Sequence, residues 1–251
     1  MIYFTIIIFI ILIIIISNNK NENFSNKKLK LAVYCYNFGN FRNELTKTSI
    51  DRFKKDNRLD YYFYTNENII SKKWRVVKVP LLKRTKHMNA NRVTAKYYKW
   101  KYIPKELKDY DYILHVDCKR IDWLNIIKYD DIISLINNNP NTLFFARKHP
   151  FLNSTYDECN YVKKNTDFDN NDNIDTWLIK LKNDKFKQKI THTETSIWIK
   201  KNSYINNILP KVYELLMRFQ LCRDQHVFTY VIQNSNLKSK EFMIYDKFSK
   251  L

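Results

Sequence analysis

Two charged side chains follow a short apolar segment near the middle of the chain. Residues 112–116 read Tyr-Ile-Leu-His-Val, and Asp117 and Lys119 come directly after them. A run of β-branched and aromatic residues bounded by charge is typical of a central parallel strand. Ligands of open α/β sheets bind beyond the carboxyl ends of such strands. We therefore expect Asp117 to contact a ribose hydroxyl or a metal ion and Lys119 to neutralise phosphate. The alternative is a polar loop without a ligand.

A stripe of basic residues precedes this segment on a predicted helix, residues 89–103. The apolar residues of the helix recur at spacings that place them on one face. Arg92, Lys96 and Lys99 form a second stripe on another face. A solvated face is the simpler interpretation. The position of the stripe just before the Asp117 strand keeps a phosphate-facing role open.

The chain contains a single glycine, Gly39, among 251 residues. This excludes every glycine-rich phosphate loop, including the Walker A motif and the dinucleotide-binding fingerprint. Any bound phosphate must be held by side chains, ordinary backbone amides or a metal. The four cysteines are far apart and form no Cys-x-x-Cys or His/Cys cluster, so no structural zinc site is expected.

The formal net charge is +19, from 44 basic and 25 acidic residues. Such an excess favours polyanionic partners, which include phosphorylated substrates, anionic lipid and nucleic acid. The basic residues are scattered, and no block of consecutive Lys and Arg dominates. We therefore expect no nucleic-acid partner.

The amino-terminal segment, residues 2–16, is strongly apolar. As a helix it would span roughly 22 Å, less than the ~30 Å hydrocarbon core of a membrane. The segment is either the core of a signal peptide or a short signal-anchor. Because no small-x-small cleavage pattern precedes Ser17, we predict a retained signal-anchor over 1–17, followed by a flexible stem over 18–28 and a folded domain over 29–251. The anchor implies a single-pass membrane protein, located in the secretory pathway and Golgi-like if the source is eukaryotic or a virus with such a host. The lysines that follow it favour a cytosolic domain by the positive-inside rule, so the side of the membrane stays open.

The remaining patterns predict alternating strands and helices. Strands are predicted over 29–36, 61–65, 75–79, 112–116, 142–146 and 195–199. Helices are predicted over 44–55, 89–103, 123–137, 176–189 and 205–219, and from 156 and 224, with a loop over 167–175. Asp224 would then cap free N–H groups. This order implies βαβ units, and therefore an α/β domain with a mostly parallel sheet and flanking helices.

The order of these elements resembles that of GT-A nucleotide-sugar glycosyltransferases. This resemblance implies a Rossmann-like fold with a doubly wound, mostly parallel sheet, in which a carboxylate motif follows a central strand. The chain looks like the glycosyltransferase-like domain family of plant mucilage-related Golgi proteins and their bacterial and viral relatives. Four motifs over roughly residues 31–231 carry the resemblance: Asp117-Cys118-Lys119, His149-Pro150, Tyr156-Asp157-Glu158 and Arg223-Asp224-Gln225. Cys118 replaces the glycine of the family, and Phe151 stands where an arginine is usual.

The resemblance implies transfer of a sugar from a UDP- or GDP-sugar to a hydroxyl of a glycan, protein or lipid. GT-A enzymes mostly hold Mn²⁺ or Mg²⁺ on the donor diphosphate through Asp-x-Asp. Here Asp117 is the candidate metal ligand, and Lys119 would partly replace the second acid. The other candidates for donor or phosphate binding are His149, Arg223 and Gln225. The candidates for a base or an acceptor-orienting acid are Asp224, Glu158 and Glu194.

Two other functions fit the same residues. Asp117, His149 and Glu158 around a metal would make a membrane-linked hydrolase, although no closely spaced histidine pair supplies the site. Cys118 in place of glycine instead favours an inactive binding module for nucleotide sugars or polyanions, tethered to the membrane.

Overall fold

The computed structural model describes residues 29–47 and 50–249. The predicted anchor (1–17) and stem (18–28) lie outside this part of the chain. No helix within the described ranges is long and apolar enough to cross a membrane.

Seven strands in the described part of the chain form one sheet. They are β1 Leu31–Tyr36, β2 Asp60–Thr65, β3 Arg75–Lys78, β4 Tyr112–Val116, β5 Phe144–Lys148, β6 Thr193–Lys201 and β7 Phe242–Ile244. Their order in the sheet is β3-β2-β1-β4-β6-β5-β7. All neighbours pair in parallel except β6, which is antiparallel to β4 and β5. The predicted mostly parallel sheet is confirmed, whereas β7 and the reversed direction of β6 were not predicted.

Helices flank this sheet. They are α1 Glu44–Lys47, α2 Ala90–Lys96, α3 Tyr129–Asn138, α4 Thr155–Asn165, α5 Asn171–Asn183, α6 Ile205–Ile208, α7 Pro210–Phe219, α8 Gln225–Gln233 and α9 Asp246–Ser249. A π-helical turn, Tyr97–Lys101, extends α2, and a 3₁₀ segment, Cys118–Asn125, follows β4.

The hydrophobic core has two parts, one on each face of the sheet, because side chains alternate along a strand. On β1, Ala32 and Tyr34 pack with residues of α4, α5, α7 and α8. Leu31 and Val33 pack on the other face with residues of α3 and α9. Helices on both faces confirm the predicted α/β class.

The strand order reverses direction beside β1. From β1 the chain moves outward through β2 and β3 and then returns past β1 to β4. Such a reversal opens a crevice at the carboxyl ends of the two strands where ligands bind. Because β6 is antiparallel, its first residues lie at this same edge, where the Asp117 amide donates to the Ser196 carbonyl (2.8 Å).

Several predictions of element extent are wrong, among them the helix predicted over 176–189, which ends at Asn183. The helix predicted over 44–55 is described only to Lys47, and residues 50–55 form turn and coil. Phe53 is buried by ring contacts with Tyr61 and Trp74 (centroids 5.0 and 5.2 Å apart) rather than by a helix face. The loop predicted over 167–175 contains the start of α5, because the Asn170 side chain caps it.

Candidate functional site

A cavity of about 260 Å³ lies at the reversal point, at the carboxyl ends of β1 and β4. Residues after both strands line it, together with α2, the start of β6 and the segment before α8. Five basic side chains line the cavity, Arg92, Lys96, Lys99, Lys119 and Arg223, against two acidic ones, Glu44 and Asp117. The balance of charge is suited to an anionic ligand.

The structure brings half of the sequence-predicted site residues to this cavity. Asp117, Lys119, Arg223 and Gln225 line it. Asp224 lies directly behind the lining, where it contacts two of the lining lysines. The other three, His149, Glu158 and Glu194, are absent from the wall of the cavity and lie in ion-pair clusters of their own.

All three residues of the basic stripe face the cavity, so the stripe is not simply a solvated face. Asn89 caps α2 by accepting from the Arg92 amide (2.9 Å). At the other end the Tyr102 amide donates to the Tyr97 carbonyl, five residues earlier (2.9 Å). Such π-helical turns are frequent at functional sites. Within this turn Lys99 is buried, with its side chain only 3% exposed.

Lys99 lies between two carboxylates. Its Nζ atom is 2.9 Å from Asp224 Oδ2 and 3.3 Å from Asp117 Oδ1. Thr195 Oγ1 is 3.5 Å from the same nitrogen and donates to Asp224 Oδ2 (3.3 Å). Lys96 contacts the other oxygen of Asp224 at 2.6 Å. Two ammonium groups and two carboxylates therefore form one compact network on the floor of the cavity.

Both carboxylates of this network are charged. Burial by itself would raise the pKa of each, but the neighbouring lysine charges outweigh it and hold the pKa of Asp117 and Asp224 well below the ordinary value. Burial likewise disfavours the charged form of Lys99, but the two carboxylates raise its pKa. The sequence predicted that the Asp224 side chain caps α8, and this prediction is wrong. The carboxylate makes no capping hydrogen bond because the lysines engage it.

His115 supports Asp117 from inside the sheet. Burial, with the nearby charge of Lys99, lowers the pKa of His115 to about 4, so the ring is neutral at pH 7. Its Nε2 atom is 3.0 Å from Asp117 Oδ1, and because a carboxylate only accepts, Nε2 carries the proton. No sequence motif singled out His115 as a site residue. The alternation of side chains along β4 could have indicated its role, because residues two apart in a strand share a face and His115 is two residues before Asp117.

Glu158, which is fully buried, is the centre of a second cluster. Its Oε1 lies 2.6 Å from Arg223 Nε, and its Oε2 lies 3.4 Å from His149 Nε2 and 3.5 Å from His192 Nε2. Burial would raise the pKa of Glu158, but the hydrogen bond to His192 and the Arg223 charge lower it. His149 Nδ1 accepts from the Leu152 amide (3.0 Å). Glu158 thus holds the Arg223 side chain that lines the cavity.

Glu194 is paired with Arg147, whose guanidinium also lies 4.7 Å from the ring centroid of Trp123. The pair lies at a β-bulge, where residues 195–197 of β6 have no partner on β5. Bulges are common beside active sites, where they redirect side chains. Here the bulge includes Thr195, which lines the cavity.

Three further buried residues form a chain of contacts that runs from a thiol through an imidazole to a carboxylate. Cys159 Sγ is 3.3 Å from His226 Nδ1, and His226 Nε2 is 3.4 Å from Asp169 Oδ2. Burial raises the pKa of the Cys159 thiol, and the side chain has no exposed surface. A buried thiol of this kind is inert, so we assign these contacts to structure. All four cysteines are free.

The described residues contain no group of three or more His, Cys, Asp or Glu side chains that could hold a metal ion. In particular, the structure does not gather Asp117, His149 and Glu158 around one point, as the hydrolase hypothesis requires. The two carboxylates of the lysine network, Asp117 and Asp224, have Lys99 between them. These residues do not fit the Mn²⁺ or Mg²⁺ site that was expected at Asp117.

Gly39 shapes the loop between β1 and the cavity. Its φ of +63° lies in the left-handed region, and a Cβ atom there would fall 1.9 Å from Asn91 Nδ2. The Gly39 amide donates to Asn66 Oδ1 (2.7 Å). The sole glycine of the chain therefore permits close approach of this loop to α2.

No protein-family model and no curated protein matches this chain. Among solved structures, the apo form of the bifunctional glycosyltransferase WbbM is similar at a TM-score of 0.46 and 14% identity, over 88% of this chain. This chain corresponds to only 39% of that protein. An active-site mutant of LgtC is similar at a TM-score of 0.42 and 9% identity, over 84% of this chain and 72% of that one. Similarity at this level leaves the function to be inferred from the side chains at the cavity.

Proposed function

We propose that the protein is a glycosyltransferase that binds a nucleoside diphosphate sugar in the cavity at the ends of β1 and β4. The observation that carries this proposal is the concentration of five basic side chains at the reversal point of a chain without any glycine-rich phosphate loop. A diphosphate is the anion that such a cluster of side chains is suited to hold. The acceptor would be a hydroxyl of a glycan, protein or lipid.

Lining residues divide into two roles in this proposal. Lys96, Lys99, Lys119 and Arg223 would bind the diphosphate and stabilise the charge that develops on the leaving group. Asp117, whose side chain is 26% exposed, would contact a ribose hydroxyl.

The buried acids would position these basic groups. A general base must reach the proton that it removes, but Asp224, Glu158 and Glu194 lie outside the cavity lining, and each is paired with a basic side chain. We therefore propose that Asp224 holds the two lysines and Glu158 holds Arg223. Residues 1–17 would attach this domain to a membrane.

Thermal denaturation of the full-length protein with UDP-, GDP- and other nucleotide sugars tests the proposal. A ligand at about 100 times its dissociation constant stabilises the fold by about 2.7 kcal/mol, which raises Tm by roughly 5–10 °C in a domain of this size. Asp117→Asn should reduce the shift, whereas Asp122→Asn, at a residue 53% exposed, should not.

Nucleotide release in the presence of candidate acceptors then tests turnover. If no nucleotide sugar raises Tm, the donor site is refuted. If one raises Tm but is never consumed, the chain is a binding module rather than an enzyme.

A further inference from the structure

We propose that the buried ammonium of Lys99 takes the place of a divalent cation at the donor diphosphate, so that the nucleotide binds without metal. This inference rests on the proposed function and specifies how its site neutralises phosphate. It concerns a residue that belongs to none of the four motifs.

The oxygens around Lys99 are of the type that Mg²⁺ and Mn²⁺ prefer. Two carboxylates and a hydroxyl, from Asp117, Asp224 and Thr195, surround one point beside the cavity. That point is occupied by Nζ at 2.9–3.5 Å from the three oxygens. An ammonium has three N–H donors. Two can go to the carboxylates, and the third, which meets Thr195 Oγ1 only at 3.5 Å, is left for a diphosphate oxygen in the cavity that Lys99 lines.

The charge of the network is already balanced. Lys96 and Lys99 carry two positive charges against the two negative charges of Asp117 and Asp224. A divalent ion between the carboxylates would lie against the Lys99 ammonium and would require metal–oxygen distances of about 2.0–2.2 Å. Lys99 has little freedom to withdraw, because its side chain is buried within the π-helical turn.

The first experiment measures nucleotide affinity of the full-length protein by calorimetry, with UDP and GDP as probes, in EDTA and in Mn²⁺. We expect the dissociation constant to agree within about twofold between the two conditions. Lys99→Met should weaken binding about tenfold or more, because a charge-assisted contact is lost. Lys101→Ala removes an exposed charge on the same turn and should leave the affinity unchanged.

The second experiment titrates Mn²⁺ alone and follows the free ion by electron paramagnetic resonance. The unmodified protein should not bind Mn²⁺ at this position. Lys99→Ala removes the ammonium and leaves two carboxylates facing one another, so this variant should acquire a Mn²⁺ site. Lys99→Ala/Asp224→Asn should lose the acquired site.

Failure of the inference differs from failure of the proposed function. Nucleotide binding that requires Mn²⁺ would overturn the inference and leave the donor site intact. If no nucleoside diphosphate binds in either condition, the proposed function fails, and the Mn²⁺ titration alone decides whether Lys99 occupies a cation site. If Lys99→Ala does not fold, the comparison of EDTA with Mn²⁺ on the unmodified protein still decides the inference.

Discussion

Glu158→Gln tests whether the buried carboxylate at the centre of the second cluster positions Arg223 or acts as a base. Glu158 has no exposed surface, and its Oε1 lies 2.6 Å from Arg223 Nε. At an effective dielectric constant of about 20, two unit charges at that distance attract by roughly 6 kcal/mol. Desolvation of the buried carboxylate offsets part of this attraction. Removing one partner of a buried pair therefore costs about 3–5 kcal/mol.

The assay is urea denaturation at pH 7, with a matched variant on the surface. Glu214→Gln breaks a pair with Lys211 (3.3 Å) in which both side chains are about half exposed, and it should cost less than about 0.5 kcal/mol. In a double-mutant cycle, Glu158→Gln and Arg223→Met should couple by about 1.5 kcal/mol or more. A coupling energy near zero would show that the ion pair does not hold Arg223.

Activity separates the two roles. If Glu158 only positions Arg223, Glu158→Gln should weaken nucleotide binding as well as lower the rate of transfer. A variant that is as stable as the unmodified protein and binds nucleotide equally well, but transfers sugar roughly 1000-fold more slowly, would identify Glu158 as a general base. That result would refute the positioning role.

Two further predictions concern the backbone and pH. Gly39→Ala should destabilise the fold in two ways: the left-handed φ costs about 1–2 kcal/mol, and the clash of the new Cβ with the Asn91 side chain adds to it. Urea denaturation of Gly39→Ala/Asn91→Ala should show that the second substitution removes the cost of the clash but not the cost of the backbone conformation. The pKa of His115 and His149 is lowered from 6.5 to about 4, so between these pH values the unfolded chain binds protons that the folded chain excludes. Stability should therefore be constant above about pH 6.5 and fall as pH drops toward 4, by about 3 kcal/mol for each histidine. Urea midpoints that are equal at pH 7.5 and pH 5 would contradict this.

Most of the sheet could be predicted from local patterns. Strand β4 has the bounds that its apolar run indicates, and β1 and β2 differ by two residues or fewer. Each is buried on both faces, which leaves a continuous hydrophobic signature. By contrast, the short strand β7 is only partly buried, and its three residues carry no periodicity long enough to recognise.

The candidate site was predicted only in part, because the available signals were local. Asp117 and Lys119 follow a strand that the sequence identifies, so their place at the cavity followed from general rules for α/β sheets. The pairing of Asp117 with Lys99 did not follow from such rules. Lys99 is separated from it by eighteen residues in the chain, and its burial depends on a π-helical turn that a pattern of normal helical spacing does not indicate.

Three features could be read from the amino-acid sequence alone: the α/β class, the strand that precedes Asp117 and the absence of any glycine-rich phosphate loop. These follow from hydrophobic periodicity and from composition, which act over short stretches of chain. Three others depend on how the chain folds: β6 runs antiparallel and brings Thr195 to the cavity, Asp224 binds lysines instead of capping α8, and Glu158 pairs with Arg223. The physical reason is that an ion pair in a buried site depends on distance and desolvation, and both are set by which elements pack together rather than by the residues that are adjacent in sequence.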